Sequence, residues 1–320
     1  MSKLVSTTGH TAGETAVTAA WAQWSAVTSS AVPEGKRAEA IVDPEALVLV
    51  SLAFADRERR FHDFLAGWAS DVSYLLSVQR MRTLSRDFPK SVHARLGGFA
   101  QIAAEAGQRS WGRLANADRE GLLHPRRKRL GDLNLKYGPS LMLRMRAGFG
   151  VGAKADLLTF LLGIGHSTAD LKVMAGATGY TVRALNTAAE QMTVAGFIHS
   201  VQRRPSVYYA RADAWAPVLD TRAPDQNSHR SATQLPAWRC WRSIFAFLAG
   251  VVEWAEQASQ LEWSSYVASS RARDLYDYHG NSLRLASLEF QPPREARGAA
   301  YLSGFADLVA YVGAWTAENA

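Results

Sequence analysis

Between residues 153 and 209 the apolar residues change period once, and that change restricts the fold more than any other feature of the chain. Leu157, Leu158, Leu161 and Leu162 make one stripe at helical spacing, ended by Gly163 and Gly165. Met174, Thr178, Tyr180, Leu185, Ala188 and Met192 continue at spacings that suit two more short helices packed on that stripe. Ser167-Thr168-Ala169-Asp170 sets a hydroxyl and an acid three residues apart, so the second helix is predicted from Thr168 to Ala177. Ala175 supplies a small side chain for a steep helix crossing, and Gly179 tolerates the positive φ of a tight turn. After Gly196 the period becomes extended: residues 198–201 and 207–209 favour β structure, and Gln202-Arg203-Arg204-Pro205 makes the turn between them.

This pattern leaves a polar face on the third helix. With Leu185, Ala188 and Met192 turned inward, Arg183, Asn186, Thr187, Glu190 and Gln191 face outward, and Thr181 stands at the helix start. A helix of this kind fits the DNA major groove, where Arg takes both acceptors of guanine and Asn or Gln matches adenine. A hydroxyl and free amides at its start suit a phosphate.

The stretch 167–196, with Ala175, Gly179, Leu185 and Met192, resembles the helix-turn-helix of winged-helix bacterial transcriptional regulators. The similarity is to the broad group of multiple-antibiotic-resistance, arsenic-responsive and phenylacetate-responsive repressors. Residues 141–151, Leu-Met-Leu-Arg-Met-Arg-Ala-Gly-Phe-Gly-Val, resemble the lead-in of the phenylacetate-responsive type. The likeness spans residues 140–215. It implies sequence-specific binding of double-stranded DNA, with Arg203 and Arg204 at the wing tip lying along the backbone or minor groove. It also implies a homodimer reading two half-sites.

Charge is distributed unevenly. The net +7 arises from a neutral stretch over 1–108, +7 over 109–150, +3 over 151–212 and −3 over 213–320. The basic block includes Arg126-Arg127-Lys128-Arg129, placed by His124-Pro125 and Gly131-Asp132 on an exposed loop, and such a block attracts polyanions.

The expected fold is mainly α, in parts. Residues 1–40, rich in Ser, Thr, Ala and Gly, are predicted to be a flexible N-terminus. A helical domain follows over 41–135, opening at Asp43-Pro44-Glu45 with a capping acid and a first-turn proline. Its helices carry Leu47 and Val50, then Phe61, Leu65 and Trp68, then residues 77–88 with Val78, Met81 and Leu84 inward and Arg80, Arg82 and Arg86 elsewhere. Another is expected over 99–114. The winged helix-turn-helix domain occupies 136–215 with its small β-hairpin, a linker 216–235, and a C-terminal helical domain 236–320. There Trp238, Trp241, Phe245, Leu248 and Val252 recur at steps of three and four, which suits either a dimer seam or the domain's own core.

Other function classes find little support. Cys240 is the sole cysteine, so neither a disulfide framework nor a cysteine metal cluster is available within one chain. The eight histidines are scattered without ligand spacing. Gly148-Phe149-Gly150-Val151-Gly152-Ala153-Lys154 lacks the preceding strand and the following Ser or Thr of a phosphate loop. No stretch is apolar for long enough to span a bilayer, and the N-terminus lacks the apolar core of a signal peptide, so a cytoplasmic location without membrane contact is expected. No cofactor or metal is expected, and the chain reads as a binding protein rather than an enzyme. The rival readings are a DNA-tethered, antitoxin-like component with a protein partner, and an enzyme whose residues converge only in the fold.

Overall fold

The computed structural model describes residues 2–28, 38–115, 133–201, 203–219, 235–285, 288, 290–293 and 295–320. The chain is mainly helical, with a small three-stranded antiparallel sheet. Its apolar side chains collect in two cores.

The larger core begins with a departure from expectation. The first residues are not a flexible lead: α1 (Ser2–Val27) is one continuous helix. Its small residues are what make it pack. Ala12, Ala16, Ala19 and Ala20 are buried, and a Cβ added to Gly9 would sit 2.4 Å from Ala255 Cβ. Small side chains let helix backbones approach closely, so a segment of low hydrophobicity still makes an intimate interface. Trp24 adds bulk and donates its indole N–H to Ser51 Oγ at 2.9 Å.

α2 (Pro44–Ala53) starts as its sequence predicts, with Asp43 accepting from the Ala46 amide at 3.3 Å. α3 (Arg60–Asp71) buries Phe61, Leu65 and Trp68. α4 (Val78–Leu84) is capped by Ser77 and ends in a 3-10 turn over Ser85–Asp87. α5 (Lys90–Glu105) begins well before the predicted residue 99, because Val92, Leu96, Phe99 and Ala103 already form its inward stripe; a 3-10 turn over Arg109–Arg113 follows.

The second core is built by α6 (Leu141–Phe149), α7 (Ala153–Gly163), β1 (Ala169–Asp170), α8 (Leu171–Thr178), α9 (Val182–Val194), β2 (His199–Val201), β3 (Val207–Tyr209) and α10 (Ala212–Leu219). α8 starts later than predicted. Ala169 pairs with Tyr208 in the sheet, which holds residues 169–170 extended, so Asp170 rather than Ser167 caps the helix, accepting from the Lys172 and Val173 amides at 2.8 Å. β3 is the central strand, with His199 opposite Tyr209 and Val201 opposite Val207. Phe149, Phe197 and Trp215 form an aromatic triangle tying the end of α6 to the exit of α9 and to α10. α10 runs through residues 216–219, where a linker was expected.

The chain then returns to the first core. α11 (Trp241–Gln260) packs against α1 and α2, while α12 (Ser265–Leu285) and α13 (Gly298–Asn319) close its remaining sides. The N-terminal and C-terminal helical segments are therefore one body and not two domains. α1 and α11 pack directly on each other, with Gly9 of α1 against Ala255 of α11. Trp241, Phe245, Leu248 and Val252 are consumed in this core, so they offer no dimer seam. Trp238 lies before α11, edge-on to Phe160 and with its amide donating to the Gly163 carbonyl, which fastens the returning chain to the second core. Among the described residues, no helix is long and apolar enough to cross a membrane.

Candidate nucleic-acid interface

The local sequence of α9 fixes which of its residues reach solvent. Thr181 caps it, Oγ1 accepting from the Ala184 amide at 3.2 Å. Leu185, Ala188, Ala189 and Met192 are buried. On the other side Thr181, Arg183, Thr187, Glu190 and Gln191 are exposed, and Asn186 is half-buried. Asn186 donates from Nδ2 to Glu190 Oε1 at 2.7 Å, so its amide is held along the helix surface and not extended from it. The turn before α9 rests on Gly179, whose φ of +79° lies in the left-handed region and whose amide bonds the Ala175 carbonyl at 3.0 Å.

The β2–β3 hairpin stands next in the chain. Arg203, Arg204 and Pro205 are exposed at its tip. Neither arginine pairs with a carboxylate among the described residues, unlike Arg57 with Glu256 or Arg211 with Asp213. The basic run Arg126, Arg127, Lys128 and Arg129 lies outside the described residues. No group of three or more His, Cys, Asp or Glu among the described residues is arranged to hold a metal.

Sequence reasoning missed the most unusual part of the molecule, a cluster of five charged side chains at the junction of the two cores. Arg80, predicted to point away from the interior, is completely buried, as are Glu45, Arg146 and Asp156, with Asp43 nearly so. Arg146 spends all five N–H groups: on Asp156 at 2.7 and 2.8 Å, on Glu45 at 2.6 and 3.0 Å, and on the Leu75 carbonyl at 3.0 Å. Arg80 forks onto Asp43 at 3.1 and 2.6 Å, bonds Glu45, and gives Nε to the Thr178 carbonyl at 2.6 Å. Glu45 bridges both arginines and also accepts from the Ser77 amide at 2.7 Å.

The electrostatics follow from this packing. Burial alone would raise the Asp43 carboxyl, but Arg80 and Arg146 outweigh it and hold it below its ordinary value. Burial would likewise lower the two guanidinium values, and the surrounding carboxylates reverse that, so both stay charged. Tyr180, beside the cluster, is pushed upward by burial and then by Asp156. Asp43, Glu45 and Arg80 belong to the helical body, whereas Arg146, Asp156 and Thr178 belong to the second core. The cluster therefore fastens the α8–α9 corner to the body.

Two signals in the chain point to it. Arg146 follows Leu141-Met142-Leu143-Arg144-Met145, and Asp156 precedes Leu157-Leu158-Thr159-Phe160, so each is a charge inside an apolar run. A charge in such a run is buried only when paired.

Comparison of the chain with protein-family models, with curated proteins and with solved structures returned no match. Fold and site define a mainly helical protein of two cores, in which a helical corner and a small antiparallel sheet are locked to a larger helical body by buried charge.

Proposed function

We propose that this protein binds double-stranded DNA sequence-specifically, as a transcriptional regulator of the winged helix-turn-helix type, with α9 in the major groove and the β2–β3 hairpin as the wing. The observation that carries the proposal is the shared exposure of Arg183, Thr187, Glu190 and Gln191 on one face of α9, followed in the chain by a hairpin tipped by unpaired Arg203 and Arg204. α9 follows a short helix across a left-handed glycine, the arrangement a helix-turn-helix requires. Thr181, at the exposed start of α9, suits a phosphate. Asn186 reads a base by exchanging its bond to Glu190 for one to DNA. A homodimer on paired half-sites belongs to this proposal, with its contact surface elsewhere than α11.

The test uses fluorescence anisotropy on sites selected from random duplexes. Arg183→Ala is expected to lower affinity for the selected site by about 1 to 3 kcal/mol while leaving random DNA little changed. Asn186→Ala behaves in the same way. Arg203→Ala weakens both alike and makes the salt dependence shallower. Equal losses on selected and random DNA from the α9 variants refute base reading by this helix.

A further inference from the structure

We infer that Val182, which lies outside the polar set assigned to base reading, contacts the 5-methyl group of a thymine in the groove that α9 enters. This inference rests on the DNA-binding proposal and adds a specificity-determining residue to it. In the major groove a base pair presents hydrogen-bonding groups and, where it contains thymine, one apolar group, the C5-methyl. Arg183, Asn186, Thr187, Glu190 and Gln191 are suited to the hydrogen-bonding groups. The methyl is read only by an apolar side chain at the same end of the helix.

Val182 is that side chain. It is the first residue of α9, stands between the exposed Thr181 cap and exposed Arg183, and is itself 44% exposed. It belongs to neither core. Helix propensity does not favour a β-branched residue here, since alanine forms helix better and α9 uses it as Ala184, Ala188 and Ala189. An aliphatic side chain left in water gains nothing in the free protein, and the gain comes when a partner covers it.

Position on the helix decides what that partner is. A recognition helix meets base edges with its N-terminal residues, which is where Val182 lies. Spacing of i, i+4 sets it one turn from Asn186, on the same edge of α9. Four residues of helix span about 6 Å and one base-pair step about 3.4 Å, so the thymine touched by Val182 lies within about two base pairs of an adenine read by Asn186. Val194 provides the contrast. It is more exposed, at 91%, but it is the last residue of α9, about 18 Å along the axis from Val182 and away from the end that meets the bases.

The experiment is fluorescence anisotropy of the full-length chain on the selected duplex, with each thymine in turn replaced by uracil. That replacement removes the methyl and leaves every hydrogen-bonding group in place. The parent is expected to bind about fourfold more weakly when the methyl is removed at one thymine, near the adenine at which Asn186→Ala relaxes selectivity. Val182→Ala is expected to bind the thymine duplex more weakly by the same factor and to make no distinction there between thymine and uracil. Alanine at this exposed position favours the helix, so circular dichroism of the variant is expected to match the parent. Val194→Ala is expected to keep the parental preference for thymine. A parent insensitive to uracil at every thymine, or a thymine preference that survives Val182→Ala or is lost instead in Val194→Ala, overturns this inference; selectivity for the selected duplex over random DNA leaves the DNA-binding proposal standing in each case. A parent chain that binds selected and random duplexes alike overturns both.

Discussion

Replacing Arg146 by Met removes the side chain that joins the two cores most tightly. The long unbranched apolar replacement fills much of the same space, so the effect is electrostatic before it is steric. Five hydrogen bonds are lost at once, from Asp156, Glu45 and the Leu75 carbonyl. The remaining cluster has three buried carboxylates facing Arg80 alone. Removing one partner of a buried pair costs about 3 to 5 kcal/mol because the other is left uncompensated. At about 2 to 4 °C per kcal/mol for chains of comparable size, the melting temperature falls by roughly 10 °C. Urea unfolding followed by tryptophan fluorescence and calorimetry measures the change. Arg57→Ala is the control. It breaks an exposed pair, 2.7 Å from Glu256, of a kind worth about 0 to 1 kcal/mol. Because the cluster couples the cores, the parent chain is expected to unfold in one transition and Arg146→Met in two. A loss below about 1 kcal/mol for Arg146→Met, or one no larger than that of Arg57→Ala, refutes the assignment of the cluster as the joint.

Other outcomes follow from single contacts. Gly to Ala within a helix ordinarily stabilises by up to about 1 kcal/mol, but Gly9→Ala is expected to destabilise by about 1 to 3 kcal/mol, since the new Cβ would meet Ala255 Cβ at 2.4 Å; a raised melting temperature contradicts the α1–α11 packing. Burial in α12 pushes His279 down to about 4, with Asp87 opposing only in part. The unfolded chain binds that proton near 6.5 and the folded one does not, so this contribution is complete above about pH 6.5 and is lost as pH falls towards 4, on the order of 2 to 3 kcal/mol. His279→Gln is expected to flatten that limb of a stability-against-pH curve, and an unchanged limb refutes it. Asp43 adds a second, lower limb, with stability lost only as pH falls below about 3.8 towards its depressed folded value.

Much of the second core was legible because its signals are local. The Thr181 cap, the left-handed Gly179 and the turn between β2 and β3 each depend on residues a few positions apart, whereas α7, expected to show one apolar stripe, is buried on every side from Ala155 to Leu162. The boundary of α8 moved for a reason outside its own sequence, namely that β3 recruits Ala169 and Asp170 into the sheet. The body was less legible. Ala, Gly and Thr in α1 look like loop composition when bulk is the criterion, but the packing partner that makes them helical lies more than two hundred residues away on α11.

The charged cluster shows the same limit in its sharpest form. Glu45 in the first turn of α2 and Asp156 in that of α7 both read as acids placed to favour a helix N-terminus, and Arg80 reads as the polar edge of a short helix. These local explanations hide the pairing, and only the apolar runs beside Arg146 and Asp156 signal that a charge there needs a partner. Only the meeting of helices from both cores brings three carboxylates around two guanidinium groups. An apolar joint of the same volume would hold the cores together at less desolvation cost. It would also tolerate sliding, because apolar contacts are non-directional, whereas two forked arginines bridged by Glu45 and tied to the Thr178 and Leu75 carbonyls accept one relative placement. What the cluster adds is orientation. The element it orients is the corner between α8 and α9, and through that corner the exposed polar face on which the proposed function depends.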